Sequence, residues 1–227
     1  WKNEGLSPSR VKAAIDESLQ RLGTDYVDLY YLHKPDPQTP IEQTLEAVHG
    51  ILQAGKARSW GVSNYASWQI FEINALCDAR KMPRPRVSQV LYNLLVRQLD
   101  IEYFAFTSKH PIHTTVYNPL AGGLLARATT RLSTNKMYAR RYASEALGGL
   151  RDRYEELARE AGLSLVTLAY AWLAGTKGVD SILAGPGSLP HLDAAIDAVA
   201  VPVSAELRTK IDELHRDFLG TDARYAR

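Results

Sequence analysis

An imidazole closes the apolar run VDLYYL as His33, and a proline turn, KPDP, follows at once. Ser63 and Asn64 end the run RSWGV. Gln89 lies inside VSQVL, with Tyr92-Asn93 just past it. Tyr117 ends HTTV and leads into Asn118-Pro119-Leu120-Ala121-Gly122-Gly123, and Gly185-Pro186-Gly187-Ser188 follows DSILA. Taken singly, each has an ordinary explanation. The histidine can bond a neighbouring carbonyl, Ser63-Asn64 can cap the next helix, Gln89 can satisfy backbone groups, and Tyr117 can be core. Together they suit one kind of ligand. A carboxamide-bearing aromatic ring needs donors and acceptors, as on Ser63, Asn64 and Gln89, and a flat stacking surface, as on Tyr117. Its phosphates need exposed backbone N–H groups, which a glycine-containing loop and a helix N-terminus offer. Those are the needs of a nicotinamide dinucleotide.

Such residues need elements that bring them to one place. Ser7 at a cap position and Pro8 in the first turn start a helix that Gly23 stops. Tyr26 to His33 is an apolar strand with no polar alternation, as expected where both faces are covered. A helix from Thr39-Pro40 to Gly55 follows, then a strand from Ala57 to Val62 and a helix from Ala66 to Arg80. A strand at Val87 to Leu91, a helix at Asp100 to Lys109 and a strand at His113 to Tyr117 continue the alternation. A long loop then carries NPLAGGLL and a polar, basic segment. Helices cover Ala143 to Ala161 and Ser164 to Ala174, a strand covers Asp180 to Ala184, and helices occupy Leu189 to Ala198 and the stretch after Ser204. Alternating strands and helices joined by short turns indicate parallel βα units. Five strands fit an open doubly wound sheet or part of an eight-stranded barrel. No glycine-rich phosphate fingerprint follows any strand, which argues against the dinucleotide-binding open sheet. In a barrel, function collects at the C-terminal strand ends, where the polar groups above lie.

Composition narrows the partners. With 45% hydrophobic and 23% charged residues the chain can build a sizeable core. A net charge of +2, with both signs interspersed, gives no nucleic-acid footprint and no polybasic membrane patch. Lys136, Arg140 and Arg141 form the densest basic cluster, read as a solvated helix face. No apolar run is long enough to span a bilayer. The one cysteine, Cys77, excludes an internal disulfide and a cysteine-based zinc site, so a reducing, cytoplasmic setting is expected. A metal-dependent barrel hydrolase stays open as an alternative, but only His33 and His113 qualify as strand-end ligands. The expectation is therefore no metal.

The motifs VDLYYLHKPD, LQAGKARSWGVSNYASWQI, QVLYNLLVRQ and YNPLAGGLL, in this order and with the ending YAR, resemble the aldo-keto reductases. The likeness runs over essentially the whole chain and is closest to the branch of aflatoxin-aldehyde and succinic-semialdehyde reductases. It implies a (β/α)8 barrel, N-terminally truncated, with about five of the eight βα units present. Residues 1–227 would then be a single partial domain that binds NADPH or NADP+ at the barrel mouth. By position, His33 matches the active-site histidine that orients the substrate carbonyl. Ser63, Asn64 and Gln89 match the carboxamide ligands, and Tyr117 the ring stacked on nicotinamide. Asn118, Leu120 and Gly122 lie in the segment that resembles the pyrophosphate clamp. Gly185, Ser188 and His191 fall at the adenosine end. Arg131 and Arg227 correspond to arginines that hold a substrate carboxylate.

The sequence also departs from the family pattern. Of the tetrad Asp, Tyr, Lys and His, only the histidine has a counterpart, and the chain starts on Trp1 as though cut. No tyrosine here matches the general acid that protonates the carbonyl. At the adenosine end, Gly187, Ser188, His191 and Ala195 stand where the family has a serine pair, glutamine and asparagine. That leaves NADP against NAD preference open. The expected activity of the intact enzyme is NADPH-dependent reduction of aldehydes and ketones, with this chain inactive or severely impaired. A non-catalytic nucleotide-binding or docking module is the alternative. The expected partner is a small carbonyl compound, and pairing with a second copy of the chain stays open.

Overall fold

The structure, a computed structural model, describes residues 5–128 and 133–221. It forms two compact units, Trp1–Val90 with Phe106–Thr114 and Leu91–Ala105 with Thr115–Arg227.

In the first unit, helix α1 (Pro8–Leu22) starts where Ser7 accepts from the Arg10 N–H and ends on Gly23 at φ 67°. It buries Val11, Ile15 and Leu19, one face at four-residue spacing. Strand β1 (Val27–Leu32) leads to α2 (Ile41–Gln53), which buries Leu45, Val48 and Ile51. Strand β2 (Ala57–Ser63) pairs parallel with β1, Val27 opposite Ala57 and Leu32 opposite Val62. Helix α3 (Ser67–Ala79) connects β2 to the parallel strand β3 (Val87–Leu91).

Full coverage of β1 is not observed. The strand stops at Leu32, which is also its one buried residue, and Asp28 is exposed in an ion pair with Arg58 at 2.7 Å. Among the described strands β1 pairs with β2 alone, so its outer edge has no strand over it. By contrast β2, paired on both sides, buries five of its seven residues.

After α4 (Tyr103–Lys109) comes strand β4 (His113–Tyr117). In the second unit β4 pairs parallel with β5 (Ser181–Leu183), Tyr117 opposite Leu183. Within the polar segment read as loop, the basic cluster read as a helix face does lie on a helix, α5 (Lys136–Tyr142), capped by the Asn135 side chain, which accepts from the N–H groups of Met137 and Tyr138. Helix α6 (Glu145–Glu160) turns Leu150, Tyr154 and Leu157 inward. Helix α7 (Leu165–Ala174) is almost wholly buried, and α8 (Leu189–Val199) and α9 (Ala205–Leu219) follow. Parallel pairing of strands that alternate with helices is that of a (β/α)8 barrel, five of whose strands lie among the described residues.

Candidate active site

The first unit gathers four of the expected residues, three at or just past the ends of β1 and β2 and Gln89 within β3. Ser63 is the last residue of β2, is buried, and stands in register with Gln89 of β3. The chain then leaves β2 through Asn64 at φ 63°, a conformation that short polar side chains tolerate because they can bond locally. Asn64 uses it fully. Its backbone N–H donates to the Gln89 carbonyl at 3.0 Å, and its Nδ2 donates to Ser63 Oγ at 3.0 Å and to the His33 carbonyl at 2.9 Å. One residue, through its side-chain amide and its backbone N–H, thus ties the ends of β1 and β2 to the middle of β3.

His33 stands one residue past β1 and is exposed. Its loop is held along its length. Tyr65 donates its hydroxyl to the Lys34 carbonyl at 3.5 Å. Asp36 accepts from the Leu6 N–H at 2.8 Å, the Thr39 hydroxyl at 2.7 Å and the Gln38 N–H at 3.0 Å. The Thr39 hydroxyl above all, then those N–H groups, hold the Asp36 carboxyl below its usual range. Burial pushes the Tyr65 phenol far above its usual value. A cavity of about 150 Å³ beneath this loop is lined by Leu6, Asp36, Thr44, Tyr65 and Ile73, among others, and by none of His33, Ser63, Asn64 or Gln89.

In the second unit Tyr117 ends β4 and is half-buried. The turn after it is rich in left-handed backbone: Asn118 at φ 59°, Ala121 at 50°, Gly122 at 67° and Gly123 at 102°. Much of its hydrogen bonding is internal. The Leu120 carbonyl accepts from the Gly123 and Leu125 N–H groups at 2.9 and 3.2 Å, and Asn118 accepts from the Ala121 N–H at 2.9 Å. Gly122 is buried against α5, and a Cβ there would come within 2.4 Å of the Tyr138 ring. Gly185 and Ser188 are exposed, and Ser188 caps α8 by accepting from the His191 N–H at 3.4 Å. A Cβ on Gly187 would lie 3.7 Å from His191 Nδ1, so that ring folds back over the start of the helix. Ala195 is buried in α8. Arg131 and Arg227 lie outside the described residues.

Several residues that hold these clusters are not among the expected site residues, although the sequence puts Asn93 just past the third strand. Tyr65 and Asp36 brace the His33 loop, and Asn93, Tyr138 and Tyr142 brace the Asn118 turn. The one sequence signal for these tyrosines is their mutual spacing, since Tyr138 and Tyr142 stand four residues apart and so share one face of a helix. Among the described residues, no three His, Cys, Asp or Glu side chains come together as a metal site requires. None of their helices is long and apolar enough to cross a membrane.

Parallel βα units with hydrogen-bonding side chains towards the C-terminal ends of the strands are the arrangement found at the mouth of a (β/α)8 barrel. Residues 1–216 match the aldo/keto reductase family, and the chain belongs to it. Aflatoxin B1 aldehyde reductase member 2 of Mus musculus is 42% identical over 125 residues, 55% of this chain and 34% of that protein. An aldo-keto reductase of Pseudocercospora fijiensis is 32% identical over 211 residues, 85% of this chain and 69% of that protein. A probable voltage-gated potassium channel subunit beta of Arabidopsis thaliana is 31% identical over 210 residues, 88% of this chain and 64% of that protein. The chain thus spans about a third of the length of the mouse aldehyde reductase it matches.

Proposed function

We propose that this chain is the nicotinamide-binding, carbonyl-orienting part of an NADPH-dependent reductase of aldehydes and ketones. The observation that carries the reading is the bracket at Asn64, which holds His33 and Ser63, at the ends of β1 and β2, beside Gln89 of β3. Ser63, Asn64 and Gln89 would hold the carboxamide. Tyr117 would cover one face of the ring and leave the other to the substrate. Asn118, Leu120 and Gly122 would lie along the pyrophosphate, and Gly185, Ser188 and His191 towards the adenosine, with Arg131 and Arg227 for a substrate carboxylate. The cofactor supplies the hydride when bound. His33 aims the carbonyl by donating a hydrogen bond to its oxygen. These residues form one partial domain, at work in the cytoplasm on a small carbonyl compound.

Proton donation is the weak point of the chain as it stands. General acid catalysis contributes about 10²–10⁴-fold to rates of this kind, and of the family's tetrad only His33 has a counterpart here. Turnover of 4-nitrobenzaldehyde or succinic semialdehyde with NADPH is accordingly expected to be at or near background, read as loss of NADPH absorbance. Robust turnover would show that another group donates the proton.

A further inference from the structure

Asn93 is fully buried, and nothing above gives it a role in the chemistry. Its Oδ1 accepts from the N–H groups of Leu95 and Val96, each at 3.0 Å. Its Nδ2 donates to the Asn118 carbonyl at 3.0 Å and to the Tyr142 hydroxyl at 3.3 Å. Two acceptor bonds and two donor bonds use the whole capacity of a side-chain amide that this site can offer. Three separate stretches therefore meet on one group: the turn after β3, the turn after Tyr117, and α5. A second bond closes the ring, because the Tyr138 hydroxyl donates to Asn118 Oδ1 at 3.4 Å. The tyrosines of α5 lie with centroids 6.4 Å apart and planes at 25°, one of them over Gly122.

Asn118 needs such support. It holds a left-handed φ of 59° immediately after Tyr117, where a non-glycine residue is strained unless local bonds compensate. We propose that Asn93 is a positioning residue: it fixes the Asn118 turn, and so the ring of Tyr117, and clasps α5 to that turn through Tyr142. The role given to Tyr117 rests on the nicotinamide reading above. Only an amide fits the task, since aspartate keeps the acceptor side and loses both donated hydrogens, whereas alanine loses both sides.

The test compares wild type, Asn93→Asp and Tyr142→Phe by hydrogen exchange and by NADPH fluorescence. In Asn93→Asp, exchange over residues 116–128 and 136–142 should quicken about tenfold or more together, the scale of a lost buried hydrogen bond. In Tyr142→Phe only 136–142 should quicken. Bound NADPH should lose its emission shift in Asn93→Asp even at saturating protein, because the ring no longer stacks squarely, which a loss of global stability would not produce. Exchange over 116–128 equal to wild type in Asn93→Asp would overturn the proposal. If that variant does not fold, the wild-type Asn93 amide protons decide: slow exchange supports the clasp, and rapid exchange overturns it. Should wild type fail to bind NADPH, the nucleotide reading falls, while coupled exchange of the two segments would still support Asn93 as the residue that positions the turn.

Discussion

At Asp36 one carboxylate gathers the Thr39 hydroxyl and the N–H groups of Leu6 and Gln38, and so pins the loop that begins at His33. Those bonds, the Thr39 hydroxyl first, lower its pKa from the ordinary 3.8, so the folded state favours the ionised form. The stabilisation is complete above that ordinary value and is lost as the pH falls through the lower folded one. Asp36→Asn is expected to cost about 1 kcal/mol at pH 7, with a deficit that shrinks as the pH drops from roughly 4 towards 2. Urea midpoints of both proteins at neutral and acid pH check this, and a deficit independent of pH would contradict it. The polar residues in or just past the strands, His33, Ser63, Asn64 and Gln89, were legible in the sequence because each closes, follows or lies in an apolar run. The bracket that Asn64 makes was not, because it depends on which carbonyl the neighbouring strand presents in register.

Among the elements, α1 was legible to the residue, since Ser7, Pro8 and Gly23 are local signals whose energies do not depend on the rest of the fold. Helix α5 was not. It has seven residues, three of them basic, and is held by Tyr138 and Tyr142 against a distant turn. An isolated segment of that length would not stay helical. The exposure of β1 was likewise invisible, because an apolar run does not say how many neighbours a strand has. Two glycines test this account of tertiary against local control. Gly122→Ala adds a Cβ at φ 67° against the Tyr138 ring and should destabilise by roughly 1–3 kcal/mol. Gly149 lies within α6 with nothing within 4 Å of an added Cβ, so Gly149→Ala should stabilise by about 0.5–1 kcal/mol. Chemical denaturation of both variants reads the signs, and two changes of the same sign would contradict the account.

For the molecule as a whole, the order of the motifs carried more than any single one. Isolated strand-end residues left an open sheet and a barrel both standing, whereas four motifs in sequence pointed to the family that residues 1–216 match. What composition could not convey was the separation into two compact units, which follows from how contacts cluster in space. The central claim is that a nicotinamide site is retained in this chain apart from the proton donor. It is tested most directly by titrating the chain and its Tyr117→Ala variant with NADPH, following the emission of the bound ring. The account predicts saturable binding by the wild type and about tenfold weaker binding by the variant, the scale of one lost aromatic stack. Equal binding by the two proteins, or none by the wild type, would contradict it.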